Sequence, residues 1–155
     1  MKWLRVIHIL AASIWFGCAI AILTIFNGCL SPFNAEAFAI AAPLVQSIFQ
    51  STIAPASIII LIEALIYGFA SHWGFFKHTW VTLKWVFCVM LVLCIAFGFF
   101  GQFFALQAKV NAPGYLVSPG DGSMLLLFSA LHVVLVAIMI IISVIRPWSK
   151  AIRNA

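Results

Sequence analysis

An all-α fold, a bundle of four transmembrane helices with both termini cytoplasmic, is what this sequence predicts, and three observations predict it. Hydrophobic residues fill 66% of the 155 positions and charged residues only 7%, whereas a soluble chain carries about a quarter of charged residues. The apolar residues gather into four blocks, each long enough to meet the roughly 18 residues that suggest a membrane span. Seven of the eight Lys and Arg residues fall at one end of those blocks. Lipid is therefore the main solvent, and the chain forms one domain, 1–155.

The spans are expected at about 3–26, 52–70, 80–106 and 124–145. Each is helical, because hydrocarbon offers no partner for unpaired backbone groups and the alternating segments of a membrane barrel are absent. The opening Met1-Lys2-Trp3-Leu4-Arg5 and the apolar run behind it resemble a signal peptide, but the run is too long for an h-region and contains His8 and Trp15; it is read as the first span. The segment 35–49 is mostly apolar and interrupted by Pro43. Joined to the second span it would make a helix of roughly 50 Å at 1.5 Å per residue, so it is expected to lie at the interface or cap the bundle. The short connection 71–79 makes spans two and three antiparallel neighbours. The last loop, from Asn111-Ala112-Pro113-Gly114 to Pro119-Gly120-Asp121-Gly122, is turn chemistry.

Lys2, Arg5, Lys77, Lys84, Arg146, Lys150 and Arg153 fall on one side, while Lys109 lies opposite with Glu36 and Asp121. By the positive-inside rule the first side is cytoplasmic, as in a bacterial-type inner membrane. Trp3, Trp73, Trp80 and Trp148 sit near that face as interfacial anchors. The formal net charge of +5 is then a topology signal and predicts membrane lipid, with no nucleic acid, as partner.

Cys18, Cys29, Cys88 and Cys94 form no CxxC pair, and three of them lie in spans, so packing is their expected role. His72 and His78 fall in the cytoplasmic connection, where water satisfies them. Intramembrane polar residues are the functional candidates: His8, Glu63, Lys84 and His132. Counted from the cytoplasmic end, His8 and Lys84 lie roughly 6 to 8 Å deep, Glu63 roughly 10 to 12 Å and His132 roughly 20 Å. The first three share a layer. His132 belongs to another, and Met139, seven residues on along the same face, returns to the inner one. His8 is followed at helical spacing by Ala11, Ala12, Trp15 and Ala19, which leaves room for a close helix or a flat ligand. Imidazole is a common axial ligand of haem iron, and it is equally an interhelical partner for a carbonyl or for Glu63. Lys84 either snorkels to the interface, pairs with Glu63, or meets an anion. Glu63 and Lys84 are expected close enough to interact. His132 is a second ligand, a relay group or an interhelical hydrogen bond.

The stretch Leu4-Arg5-Val6-Ile7-His8-Ile9-Leu10-Ala11-Ala12-Ser13-Ile14-Trp15-Phe16-Gly17 resembles the first span of the HemJ-type membrane protoporphyrinogen oxidases and of the related CopD-like families. The segment Trp80-Val81-Thr82-Leu83-Lys84 is similar to the lysine-bearing start of their third span. The resemblance implies a helical bundle binding haem b, with His8 as axial ligand and Lys84 in the site, beside Trp15. Two features of the family are absent. Ala21-Ile22-Leu23-Thr24-Ile25-Phe26 stands where a Pro-Arg-Leu segment is expected, and Gly101-Gln102-Phe103-Phe104 stands where a Tyr-His pair is expected.

Three functions follow. The first is a b-type haem redox protein, an oxidase of a porphyrinogen or a quinone, with the redox chemistry belonging to the cofactor. The second is a CopD-like copper handler using thioether, thiolate and imidazole ligands, although Met90, Met124 and Met139 show no regular spacing. The third is a non-catalytic subunit of a homo-oligomer or larger membrane complex, joined through small-residue faces.

Overall fold

The structure, a computed structural model, describes residues 2–70, 76, 78–118 and 120–145. The expectations for Lys77, His72, Trp73, Arg146, Trp148, Lys150 and Arg153 lie outside the described residues. Four long helices follow one another: α1 (Lys2–Leu30), α2 (Ala35–Ala70), α3 (Thr79–Val110) and α4 (Ser123–Ile145). All four are long and apolar enough to cross a membrane, with mean hydropathy between 2.1 and 3.0. The described residues contain no β-strand, and Leu30 and Phe33 form an isolated bridge. The chain is a multi-pass membrane protein, and exposed Ile7, Leu10, Ile62, Val89, Val134 and Ile141 give the bundle its lipid-facing surface.

The helices run up and down. We call the end where α1 begins and α4 finishes the near end, and the opposite end, with loops 31–34 and 111–122, the far end. α1 packs along both α2 and α4, and α3 packs along α4. The fourth side of the square is closed only in its far part, where the first turns of α2 meet the last turns of α3. Among the described residues, 54–70 of α2 and 79–93 of α3 bring no Cα pair within 8 Å. The short connection between spans two and three was expected to hold them side by side. Instead they diverge toward the near end, because both helices are committed to other neighbours, α2 to α1 and α3 to α4.

The segment 35–49 is also a correction. It is not separate from the second span but the first part of a single 36-residue helix, about 54 Å long. The excess length is supported because α1 and α3 are long as well, at 29 and 32 residues, and their protruding turns cover one another. Phe38, Ala42 and Val45 of α2 are buried against Phe26, Phe103 and Leu106. Pro43 removes one backbone donor, and the carbonyl it frees belongs to Ala39, on an exposed face. Asn34 caps the helix by accepting from the Ala37 amide.

Both α2 and α3 widen into a π turn, at Phe49–Ile53 and Cys94–Phe100. Ser51 donates to the Ser47 carbonyl at 2.6 Å, keeping that carbonyl satisfied where the ladder changes register. The two π turns meet, with Phe49 packed on Phe100 (4.5 Å between centroids) and on Phe99 (5.8 Å). Beyond them α2 and α3 part. Lipid tails are as apolar as these side chains, so dispersion and close packing hold the contact. α3 and α4 approach one another as closely, for a Cβ added at Gly98 would run into the Phe128 ring. At the far end Gly122, with φ +81, passes beneath Leu30, whose Cδ2 would lie 2.8 Å from an added Cβ.

Candidate functional site

The divergence of α2 and α3 leaves a cavity of about 460 Å³ in the near half of the bundle, within the range of small-molecule and cofactor sites, about 300 to 1,000 Å³. α1 contributes Arg5, His8, Ala12 and Trp15 to its wall, and α4 contributes Val136, Met139 and Ser143. From α3 come Trp80, Lys84, Trp85 and Cys88, and from α2 Ser57, Leu61 and Tyr67. The walls are predominantly apolar and aromatic. Among the described residues, the cations Arg5 and Lys84 stand toward the near end and no carboxylate lines the space.

His8 reaches this wall because Ala11 and Ala12 are small enough to let α2 approach α1. Its Nδ1 lies 3.1 Å from Oε2 of Glu63, a contact between the first and second spans. Glu63 is buried behind the wall, 5% exposed, and its Oε1 has no hydrogen-bond partner. An ionised carboxylate only accepts, so with Glu63 charged the imidazole carries its hydrogen on Nδ1 and keeps the Nε2 lone pair. The direct pairing of Glu63 with Lys84, expected from the short connection, does not form. Glu63 turns to α1, while Lys84 stands on α3 across the opening and places its Nζ 5.5 Å from the Trp80 ring centroid. The charges of Lys84 and Glu63 both act on His8, so the three residues do share one electrostatic neighbourhood.

Trp15 and His132 form a second contact. The indole Nε1–H donates to Nε2 of His132 at 2.9 Å, with the rings edge to face. Trp15 lines the cavity as expected of a cofactor neighbour, whereas His132, 2% exposed, lies behind it against Phe99. That Nε2 lone pair is used by the indole, and the metal-ligand role expected for His132 has none left there. The separate layers read from the sequence agree with this arrangement, since Trp15 lies two helical turns, about 10 Å, beyond His8.

Sequence reasoning missed the Trp15–His132 bond, as well as Arg5 and Tyr67 as wall residues. Nothing in the periodicity marks the bond or Tyr67. The signal available for Arg5 was its placement one turn before His8 on the same helical face. His78 caps α3, its carbonyl accepting from Val81 and Thr82, and it is half-buried with its ring 6.5 Å from Trp80. Full solvation was expected for it.

Among the described residues no three His, Cys, Asp or Glu side chains converge to hold a metal ion. Cys18, Cys29, Cys88 and Cys94 are free thiols. His8, on the cavity wall, is placed to serve a cofactor that needs one or two axial ligands. The class defined by fold and cavity is a four-helix multi-pass membrane protein with an intramembrane cavity. No protein-family model, curated protein or solved structure matches this chain.

Proposed function

We propose that this is a b-type haem-binding redox protein, oriented with the near end toward the cytoplasm of a bacterial-type inner membrane, whose substrate is a porphyrinogen or a quinone. One observation carries the reading: His8 stands on the wall of an apolar cavity, with one ring nitrogen held by a buried carboxylate and the other left with its lone pair. Metal-ligating histidines almost always have their second nitrogen fixed in this way, which sets tautomer and orientation. Haem, when bound, supplies one-electron chemistry at iron. His8 presents Nε2, Glu63 holds the Nδ1 hydrogen, Arg5 and Lys84 meet carboxylate groups at the near end, and the aromatic walls exclude water. The dispersed thiols give the copper reading no comparable support.

The test is the visible spectrum of the protein purified in mild detergent. A Soret band with reduced α and β bands is expected. His8→Ala should abolish it or make it high-spin, with partial recovery on adding imidazole. Lys84→Ala should weaken haem retention without moving the bands. A colourless protein that takes up no haem when supplied with it overturns the proposal.

A further inference from the structure

Resting on the haem reading, the register between α1 and α4 identifies a partner for His8. These helices are antiparallel, and the Trp15–His132 hydrogen bond pins them. Leu30 against Gly122 at the far end gives the same alignment to within about one and a half turns, and Trp15 and Phe16 pack against the cluster that holds Leu135 and Val136. One heptad from Trp15 toward the near end is His8, and one heptad from His132 is Met139. Seven residues rotate a helix by almost two full turns, so both pairs keep the same facing sides. His8 is thus level with the turn 139–143 of α4, whose cavity-lining members are Met139, Ile140 and Ser143.

We infer that Met139 is the second axial ligand, so that the cavity takes haem b between the His8 imidazole and the Met139 thioether. Met139 is half-buried, and its turn is kept regular by Ser143, which donates to the Met139 carbonyl. Among the other wall residues with donor atoms iron accepts, Lys84 is assigned to a haem carboxylate, which leaves Cys88 and Tyr67. Each would have to lose a proton and place an anion in hydrocarbon, which a neutral thioether avoids. Tyr67 also lies one turn closer to the near end than Glu63, the α2 residue level with His8. A histidine–methionine pair raises the potential of a haem relative to two histidines, as suits an electron acceptor.

The experiment uses the full chain, haem-loaded in mild detergent, as wild type, Met139→Leu, Met139→His and Cys88→Ser. The wild type should be low-spin, with the weak far-red charge-transfer band of ferric thioether ligation. Met139→Leu, close in volume, should keep the haem through His8 but become high-spin and lose that band. Met139→His should restore a low-spin spectrum at a lower midpoint potential, which a merely structural methionine would not produce. Cys88→Ser should leave band and potential in place. An unchanged low-spin spectrum and potential in Met139→Leu overturns Met139 while leaving the haem reading intact, as does loss of the band in Cys88→Ser alone. Failure of every variant and of the wild type to bind haem overturns both.

Discussion

The far and near halves of this bundle are made from the same kind of residue yet built differently. In the far half all four helices touch, and Phe26, Phe38, Phe99 and Phe103 are each no more than 1% exposed. Their ring centroids lie 5.8 to 6.4 Å apart, the spacing of favourable aromatic pairs. In the near half α2 and α3 separate, and the interior holds a cavity, two cations and a histidine–glutamate pair. Stability is concentrated at one end so that the other can remain open. The paired π turns mark the boundary, since beyond them the described residues of α2 and α3 bring no Cα pair within 8 Å.

The largest effect is expected from truncating the packed half. Phe26→Ala removes a ring from a site with 0% exposure and should cost about 3 to 5 kcal/mol, as for buried phenylalanines in other close-packed cores. Ile58→Ala on the cavity wall, where Ile58 is 56% exposed, should cost well under about 1 kcal/mol. Unfolding of both variants by denaturing detergent measures the difference. Equal losses would mean that the near half is packed as tightly as the far half.

How much of this was legible follows the same division. Hydrocarbon solvent fixes helices so strongly that four spans and most of their bounds could be read from apolar runs alone. The far core could not, because phenylalanines occur throughout the sequence and periodicity does not tell a ring facing another helix from one facing lipid. Phe97, 75% exposed, and Phe99, 1% exposed, are two residues apart. The continuous α2 was missed because helix length was compared with the bilayer and not with the lengths of α1 and α3. In the near half, His8, Glu63, Lys84 and Trp15 stood out because polar groups in lipid are costly. The His8–Glu63 contact was among the alternatives read from the sequence, but a short loop also suggested α2 beside α3 and hence Glu63 beside Lys84, whereas the helix order around the square decides which faces meet.

A smaller effect on stability, and a larger one on binding, is expected from the His8–Glu63 contact. Glu63→Gln is nearly isosteric and keeps an acceptor for Nδ1, so the loss should not exceed the about 1 to 2 kcal/mol of an interhelical hydrogen bond. If Glu63 orients a ligand histidine, haem affinity should nevertheless fall by about 10- to 100-fold, read by haem titration against the wild type. That would sharpen the comparison, separating a half whose mutations unfold the protein from one whose mutations empty its site. A variant that loses stability as Phe26→Ala does while binding haem normally would place Glu63 with the structural residues.

The smallest effect belongs to the far-end loop, where the packed half meets water. Asp121 accepts from the Tyr115 hydroxyl at 2.6 Å, the Ser118 amide at 3.0 Å and Lys109 at 3.2 Å. The Tyr115 hydroxyl and the Ser118 amide, with Lys109 adding to them, hold the Asp121 carboxyl below its usual range. Desolvation, together with the Asp121 acceptor and its charge, pushes Tyr115 up to about 12. Asp121 binds protons less readily folded than unfolded, so its contribution is complete above the ordinary carboxylate range and is lost as pH falls through the lowered value. Tyr115 works the other way: its contribution is complete below pH 10 and is lost as pH rises from there through about 12. Amide exchange at Ser118 and Asp121, corrected for intrinsic rates, should therefore show a protected plateau between these limits with loosening on both sides. Asp121→Asn should abolish the acid limb and lower Tyr115 toward its ordinary value, leaving the Phe26 core unaffected. A plateau unchanged by Asp121→Asn would show that the loop is held by the helices beneath it, through Gly122 and Leu30, and not by the carboxylate.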